Sequence, residues 1–404
     1  MRGKWRNLSL LMLAELLGMS VWFSASAVVP QLTLVWGLDR GQQSWLTMTV
    51  QAGFVAGALV SAWLNLADRI PANLLIAVGS ALAAAANAGV LVCVGPLPAM
   101  PLRFLTGFFL AAVYPPGMKL IATWTSTDRG LGIGLLVGAI TIGSASPHLI
   151  NGLTIFGGAS VLPPWQPVLL VASASALVGA LLAATLVRPG PLLPRATRFS
   201  WRYAFAGMRE RPTRLANLGY LGHMWELYAM WAWVPVFLIT SYRVAGWNEI
   251  GARVAGFAVI AVGAVGSALA GKLADSWGRT ATATTSLLVS GACCVVAGAA
   301  FRSPGWLTVV ALVWGFAVVA DSAQFSTAVS ELTEPSHVGT ALTMQTCMGF
   351  LLTLFTIRLV PSLADRLGWE WAFVFLVPGP MLGVVSMVRL RSLPEATKMA
   401  SGNR

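Results

Sequence analysis

Apolar runs of about twenty residues recur from one end of this chain to the other, and that is the length an α-helix needs to cross a bilayer. Inside hydrocarbon the backbone must satisfy its own hydrogen bonds, so such runs have few alternatives to a spanning helix. Twelve can be counted, over residues 8–35, 44–66, 72–95, 97–122, 130–153, 166–187, 215–240, 250–271, 280–300, 306–331, 338–360 and 369–390. Only 10% of the 404 residues are charged, too few to clothe a soluble protein of this size. The sequence therefore predicts an all-α integral membrane protein whose solvent is mostly lipid. A net charge of +12 would point to nucleic acid in a soluble chain. Here the cations sit in short loops, so the expected surroundings are the lipid bilayer and no nucleic acid is expected.

An even number of spans places both termini on one side, and positive charge says which. With cytoplasmic termini, 19 lysines and arginines fall on that side, from Arg2, Lys4 and Arg6 through the central segment to Arg404. The other side holds six (Arg40, Arg243, Arg253, Arg302, Arg358 and Arg366), and Arg103 lies within a run. This asymmetry predicts a multi-pass protein of the plasma (inner) membrane with both termini cytoplasmic. Residues 1–27 mimic a secretory leader, ending in Ala25-Ser26-Ala27. The apolar run continues past that point and Glu15 interrupts its centre, so it reads as the first span. Cys93, Cys293, Cys294 and Cys347 all lie in apolar runs and read as small buried hydrophobes, without a disulfide framework. No metal site is expected.

The longest non-apolar stretch, 188–214, carries seven arginines and one acid, Glu210. It reads as a basic cytoplasmic linker between an N-terminal six-helix bundle (1–187) and a C-terminal one with a short tail (215–404). Within it Trp201, Tyr203 and Phe205 alternate with arginines, a pattern suited to a membrane surface. The two halves repeat. Leu64-Asn65-Leu66-Ala67-Asp68-Arg69 follows the second run, and Gly271-Lys272-Leu273-Ala274-Asp275-Ser276-Trp277-Gly278-Arg279 follows the eighth. Asp68 and Asp275 are 207 positions apart, as are Gly132 and Gly339, while Gly107 and Gly315 are 208 apart. A near-constant offset signals duplication of a six-helix unit.

The segment Gly271 to Arg279 resembles the G-x-x-x-D-x-x-G-R loop of the major facilitator superfamily, and Arg103 to Gly107 resembles that superfamily's R-x-x-x-G element. In the first half Leu64 replaces the first glycine and Pro71-Ala72 replace the Gly-Arg end. The resemblance implies two pseudo-symmetric bundles of six transmembrane helices, with helices 1, 4, 7 and 10 lining a central cavity. Glycines let helices approach closely. An aspartate beside a helix N-terminus is favoured there, and a nearby arginine can hold it in one state and release it in another. Asp68, Arg69, Gly271, Asp275, Gly278 and Arg279 are therefore expected to form gating loops.

Ionisable residues inside spans are costly and mark function by default. Glu226 and Asp321 lie about eleven and ten residues from the cytoplasmic ends of their helices, hence near mid-membrane. With helices 7 and 10 lining the cavity, the two acids are expected across one aqueous space, where both resist being charged together. They are the first candidates for proton coupling. His223, three residues before Glu226, is a candidate relay, and Glu15 completes the set. Pro30 and Pro235, 205 apart, are expected to kink helices 1 and 7 alike. Pro115-Pro116 is expected to break helix 4.

Mixed aromatic and polar groups suit a small organic solute. The cavity candidates are Trp22, Ser26, Arg103, Tyr114, His148, Tyr228, Trp231, Gln324 and Gln345. The function predicted is a secondary active transporter working by alternating access. A proton gradient is its expected energy source, without a bound cofactor and acting as a monomer. The aromatic supply tilts the reading toward export. Nothing resembles a nucleotide-binding loop or an enzyme's nucleophile–base set. The alternatives are an organic or inorganic anion porter relying on Arg103, and a transport-dead membrane sensor.

Overall fold

The computed structural model describes residues 3–125, 128–153, 163–192, 199–200 and 203–403. Arg2, Arg195, Arg198, Trp201, Arg202 and Arg404, which entered the charge and linker arguments, lie outside them. All regular structure among the described residues is helical. Span 1 comes in three pieces, Lys4–Met19, Ser24–Ala27 and Val29–Trp36. Span 2 is Arg40–Trp63, span 3 Ala72–Val92, and span 4 is split into Pro96–Leu110 and Tyr114–Trp124. Spans 5 and 6 are Arg129–Gly152 and Gln166–Thr185. Span 7 is Arg211–Val244, and span 8 is Glu249–Ala261 with Gly263–Trp277. Span 9 is Arg279–Ala299, and span 10 is Pro304–Ala320 with Ser322–Leu332. Span 11 is Val338–Leu367 and span 12 is Trp369–Arg391.

Ten of these are long and apolar enough to cross a bilayer. Span 1 is interrupted, and span 7, at 34 residues, carries Arg211, Arg214, His223, Glu226 and Arg243. Together they make twelve transmembrane helices in two pseudo-symmetric bundles, spans 1–6 and 7–12. Rows such as Leu170, Leu177 and Leu181 on span 6, or Val289 and Val296 on span 9, are exposed apolar surface. In water that would be untenable; against lipid it is the expected exterior.

The duplication is written into the packing. Gly107 of span 4 lies against the Val50 carbonyl of span 2, and Gly315 of span 10 against the Val259 carbonyl of span 8. Gly57 meets the Phe108 carbonyl, and Gly266 meets the Phe316 carbonyl. At each contact a side chain of any size would strike backbone, so the helix pairs 2–4 and 8–10 sit at glycine distance.

The helix breaks depart in part from expectation. Span 4 does break, over Ala111–Val113, with Pro115 and Pro116 in the first turn that follows, where proline is tolerated. Pro30 and Pro235 do not act alike. Pro30 opens the last piece of a helix already broken at residues 20–23, while Pro235 sits inside the unbroken span 7. The first half thus has a disrupted helix where the second has a continuous one.

The bundles meet along closed seams. At the face bearing the termini, Gly130 and Gly134 of span 5 lie against Gly271 and Ser267 of span 8. Toward the opposite face Gly152 meets Arg253 and Val254, and Arg40 of span 2 pairs with Asp365 of span 11 at 3.0 Å. Between these ends Cys347 of span 11 approaches the Val55 carbonyl of span 2.

Candidate functional site

Arg103 is wholly buried in the first bundle. Its Nη1 donates to the Val21 carbonyl (3.1 Å), Ser24 Oγ (3.1 Å) and Asn87 Oδ1 (2.8 Å), and its Nη2 to the Trp22 carbonyl (2.5 Å). The break in span 1 makes this possible, because residues 20–23 leave the helical ladder and free the Val21 and Trp22 carbonyls for Arg103. The guanidinium fork therefore staples spans 1, 3 and 4 and does not line a solute path. With both terminal nitrogens committed, the anion-porter reading loses the side chain on which it rested.

Glu226 is equally buried, in the second bundle. Three neutral donors hold its carboxylate: Trp314 Nε1 at 2.5 Å and Cys294 Sγ at 3.2 Å to Oε1, and Ser290 Oγ at 3.0 Å to Oε2. They come from spans 9 and 10, so Glu226 points into its own bundle. The expectation of Glu226 and Asp321 facing each other across an aqueous space is corrected here. At about 100° per residue, Glu226 and Tyr228 lie on opposite faces of span 7, and it is Tyr228 that faces the other bundle.

Asp321 occupies the break in span 10, between the helices ending at Ala320 and beginning at Ser322. Its Oδ1 lies 2.8 Å from His223 Nδ1, an ionic approach off the hydrogen-bonding line, with both residues almost fully buried. His223 Nε2 lies 3.1 Å from Ser322 Oγ. His223 and Glu226, three apart on span 7, thus tie one helix to both the Asp321 break and the Trp314 donor.

Glu15 is fully buried on span 1, and neither carboxylate oxygen has a hydrogen-bond partner among the described residues. It is pressed against Gly117 of span 4, where any side chain would collide with it.

At the centre, rings from both bundles interlock. Trp22 packs on Phe54, Tyr228 and Phe350 at centroid distances of 5.2, 5.9 and 5.6 Å. Phe23 lies 6.0 Å from Trp231, and Tyr228 lies 5.4 Å from Trp231. Trp22 Nε1, Trp231 Nε1, His148 Nε2 and both amide atoms of Gln345 are buried without partners. Tyr114 and Tyr228 keep some accessible surface here. Two other candidates lie elsewhere. Ser26 bonds Thr47 Oγ1 of span 2 at 2.6 Å, within the first bundle. Gln324 stands beside Arg279, with Oε1 3.5 Å from Nη1.

The two loops differ. Gly278 has φ of 99°, a conformation that favours glycine. It turns the chain so that Arg279 reaches Asp275 at 3.0 Å and Glu331 at 3.2 Å. Asp275 in turn lies beside Gly130, in the first turn of span 5. The tail closes over this cluster: Ala400 N donates to Glu331 Oε2 (3.1 Å) and Asn403 Nδ2 to the Asp275 carbonyl (3.0 Å). In the first half Pro71, at φ of −52°, stands where Gly278 stands in the second. Asp68 pairs instead with Lys119 of its own bundle at 2.6 Å, and Arg69 is exposed.

Several partners were not legible in advance. Cys294 was read as a plain hydrophobe, yet its thiol serves Glu226; its i, i+4 spacing from Ser290 was the available signal. Gln51, buried on span 2 with both amide atoms unpartnered, is a lone amide in an apolar run. Asn87, which supports Arg103, is another.

Two bundles meeting along close seams, with unpartnered polar groups and rings between them, have the two-repeat architecture on which transporters are built. The sequence matches the Major Facilitator Superfamily over residues 11–265 and again over 218–404, and the chain belongs to that family of transporters. Among solved structures it is similar to the proton:xylose symporter XylE of the same superfamily, bound to 6-bromo-6-deoxy-D-glucose. The TM-score is 0.74 at 15% identity, covering 96% of this chain and 95% of that one. At that identity the likeness is one of fold. No curated protein matches in sequence.

Proposed function

We propose that this chain moves a small organic solute across the plasma membrane, termini cytoplasmic, by alternating access coupled to protons. The observation that carries the reading is the state of its buried acids. Glu226 is held by neutral donors alone, and Asp321 is paired only with a histidine among the described residues. A buried carboxylate without a fixed cation is expensive when charged, and a proton relieves it. Glu226 and the Asp321–His223 pair carry the coupling, because both bear on span 7 and on the break of span 10. The rings and amides between the bundles carry the solute. Asp275 and Arg279 latch the face bearing the termini. The fold's likeness to a structure described as a proton:xylose symporter agrees with proton coupling; the sugar is that protein's own.

The test is solute uptake into proteoliposomes with a pH gradient imposed in either direction, over a panel of neutral, cationic and anionic solutes. Accumulation that follows the gradient and collapses with a protonophore is expected. Transport indifferent to the gradient for every transported solute would overturn the coupling.

A further inference from the structure

Glu15 poses a problem that the protein itself does not solve. Its carboxylate is fully buried and unpartnered. It lies against the first turn of the Tyr114–Trp124 helix, a position that ordinarily offers backbone amides to an anion. In this turn Pro115 and Pro116 have no N–H, and the Gly117 N–H is already bonded to the Val113 carbonyl at 3.1 Å. The bundle's buried cation, Arg103, has both terminal nitrogens bound elsewhere. Among the described residues no ion pair reaches Glu15.

Tyr114 opens the helix whose first turn meets Glu15, and Tyr114 and Tyr228 pack against the same core cluster. From Tyr228 the ring cluster continues to Phe350 at 5.0 Å, Trp22 at 5.9 Å and Phe23 at 6.3 Å. Ring faces carry negative potential and attract cations, most strongly where water is excluded. A carboxylate without a cation, leading into a nest of aromatic faces, is complementary to positive charge on an apolar body. It is a poor match to a polyhydroxylated solute, and it repels anions.

We propose that the solute is an organic cation, a protonated or quaternary amine with an apolar body, its charge shared between Glu15 and the faces of Trp22 and Tyr228. This rests on the reading of the bundle interface as the solute path, but not on proton coupling.

The test is equilibrium binding by the whole purified chain, followed by tryptophan fluorescence with empty-micelle blanks. Tetraphenylphosphonium and tetraphenylborate serve as probes, being alike in shape and opposite in charge. The wild type should prefer the phosphonium by about tenfold or more, and Glu15→Gln, which keeps the shape, should erase the preference. Tyr228→Leu removes a ring without touching Glu15; it should weaken phosphonium binding several-fold yet leave the preference for positive charge. Equal binding of both ions by the wild type, or a preference that survives Glu15→Gln, would overturn the inference. Phosphonium binding with transport indifferent to pH would instead defeat only the coupling reading. Gradient-driven transport of neutral solutes, with no preference for the phosphonium, would defeat only this one.

Discussion

Arg103 in the first bundle and Glu226 in the second are both wholly buried, and neither has a counter-ion among the described residues. Arg103 is surrounded by acceptors, two of them carbonyls freed by the break in span 1 and two the side chains of Ser24 and Asn87. Glu226 is surrounded by donors, from side chains of spans 9 and 10. The chemistry of the two groups makes this symmetry deceptive. A guanidinium does not give up its proton in a protein, so Arg103 is a permanent staple. A carboxylate can accept one, and its three donors then lose about half of their hold. The first bundle fixes its charge and the second can switch its own. Duplication supplied the same helix packing twice, and divergence gave the halves different electrostatic work.

The sharpest way to break that comparison is Arg103→Ala. It orphans the Trp22 carbonyl and takes one partner each from the Val21 carbonyl, Ser24 and Asn87, which otherwise hold one another. Leaving a buried acceptor unsatisfied costs about 1–3 kcal/mol, and the cavity left by a wholly buried side chain adds to it, so thermal unfolding in detergent should shift strongly or folded protein should be lost. Arg103→Lys should recover only part, since an ammonium lacks the fork.

Next in size is a paired test of the duplicated packing. Gly107→Ala and Gly315→Ala each push a methyl into a backbone carbonyl, of Val50 and Val259 respectively. Overpacking of this kind costs about 1–3 kcal/mol, and the two losses in melting temperature should be alike. A marked inequality would show that the halves differ in packing as well as in charge.

Smaller still is Cys294→Ala, which takes one donor from Glu226. A lost hydrogen bond of this sort is worth about 1 kcal/mol, readable as a modest shift in unfolding midpoint.

The smallest effects separate the loops. Asp275→Asn weakens the latch between Arg279 and the start of span 5, and should speed alkylation of a cysteine introduced as Ser267→Cys at that seam. Asp68→Asn touches only a partly exposed pair with Lys119, worth below about 1 kcal/mol, and should leave that alkylation unchanged.

The fold was readable because lipid leaves a chain few options: length, apolarity and loop charge suffice to count helices, and a 207-residue offset suffices to see the repeat. The break in span 1 was not readable. No proline sits at residues 20–23, and the prominent Pro30 drew attention to the wrong place. The site was legible as a set of costly residues but not as an arrangement. Depth along a helix follows from counting, and it set Glu226 near mid-membrane. Direction around the helix depends on which neighbours it packs against, and that turned Glu226 toward Trp314 and away from the aromatic nest. Gln324 went astray for the same reason, being drawn to Arg279. The contrast between the two loops, by comparison, was visible in Pro71 standing where Gly278 stands in the second half.

The most direct test of a switching second bundle is proton movement accompanying solute in proteoliposomes, followed with a trapped pH dye, for wild type, Glu226→Gln and Asp321→Asn. The wild type should move protons whenever solute moves. Each variant should still exchange solute for solute across the membrane while moving few or no protons. Protons moving with solute at the wild-type ratio in both variants would contradict it.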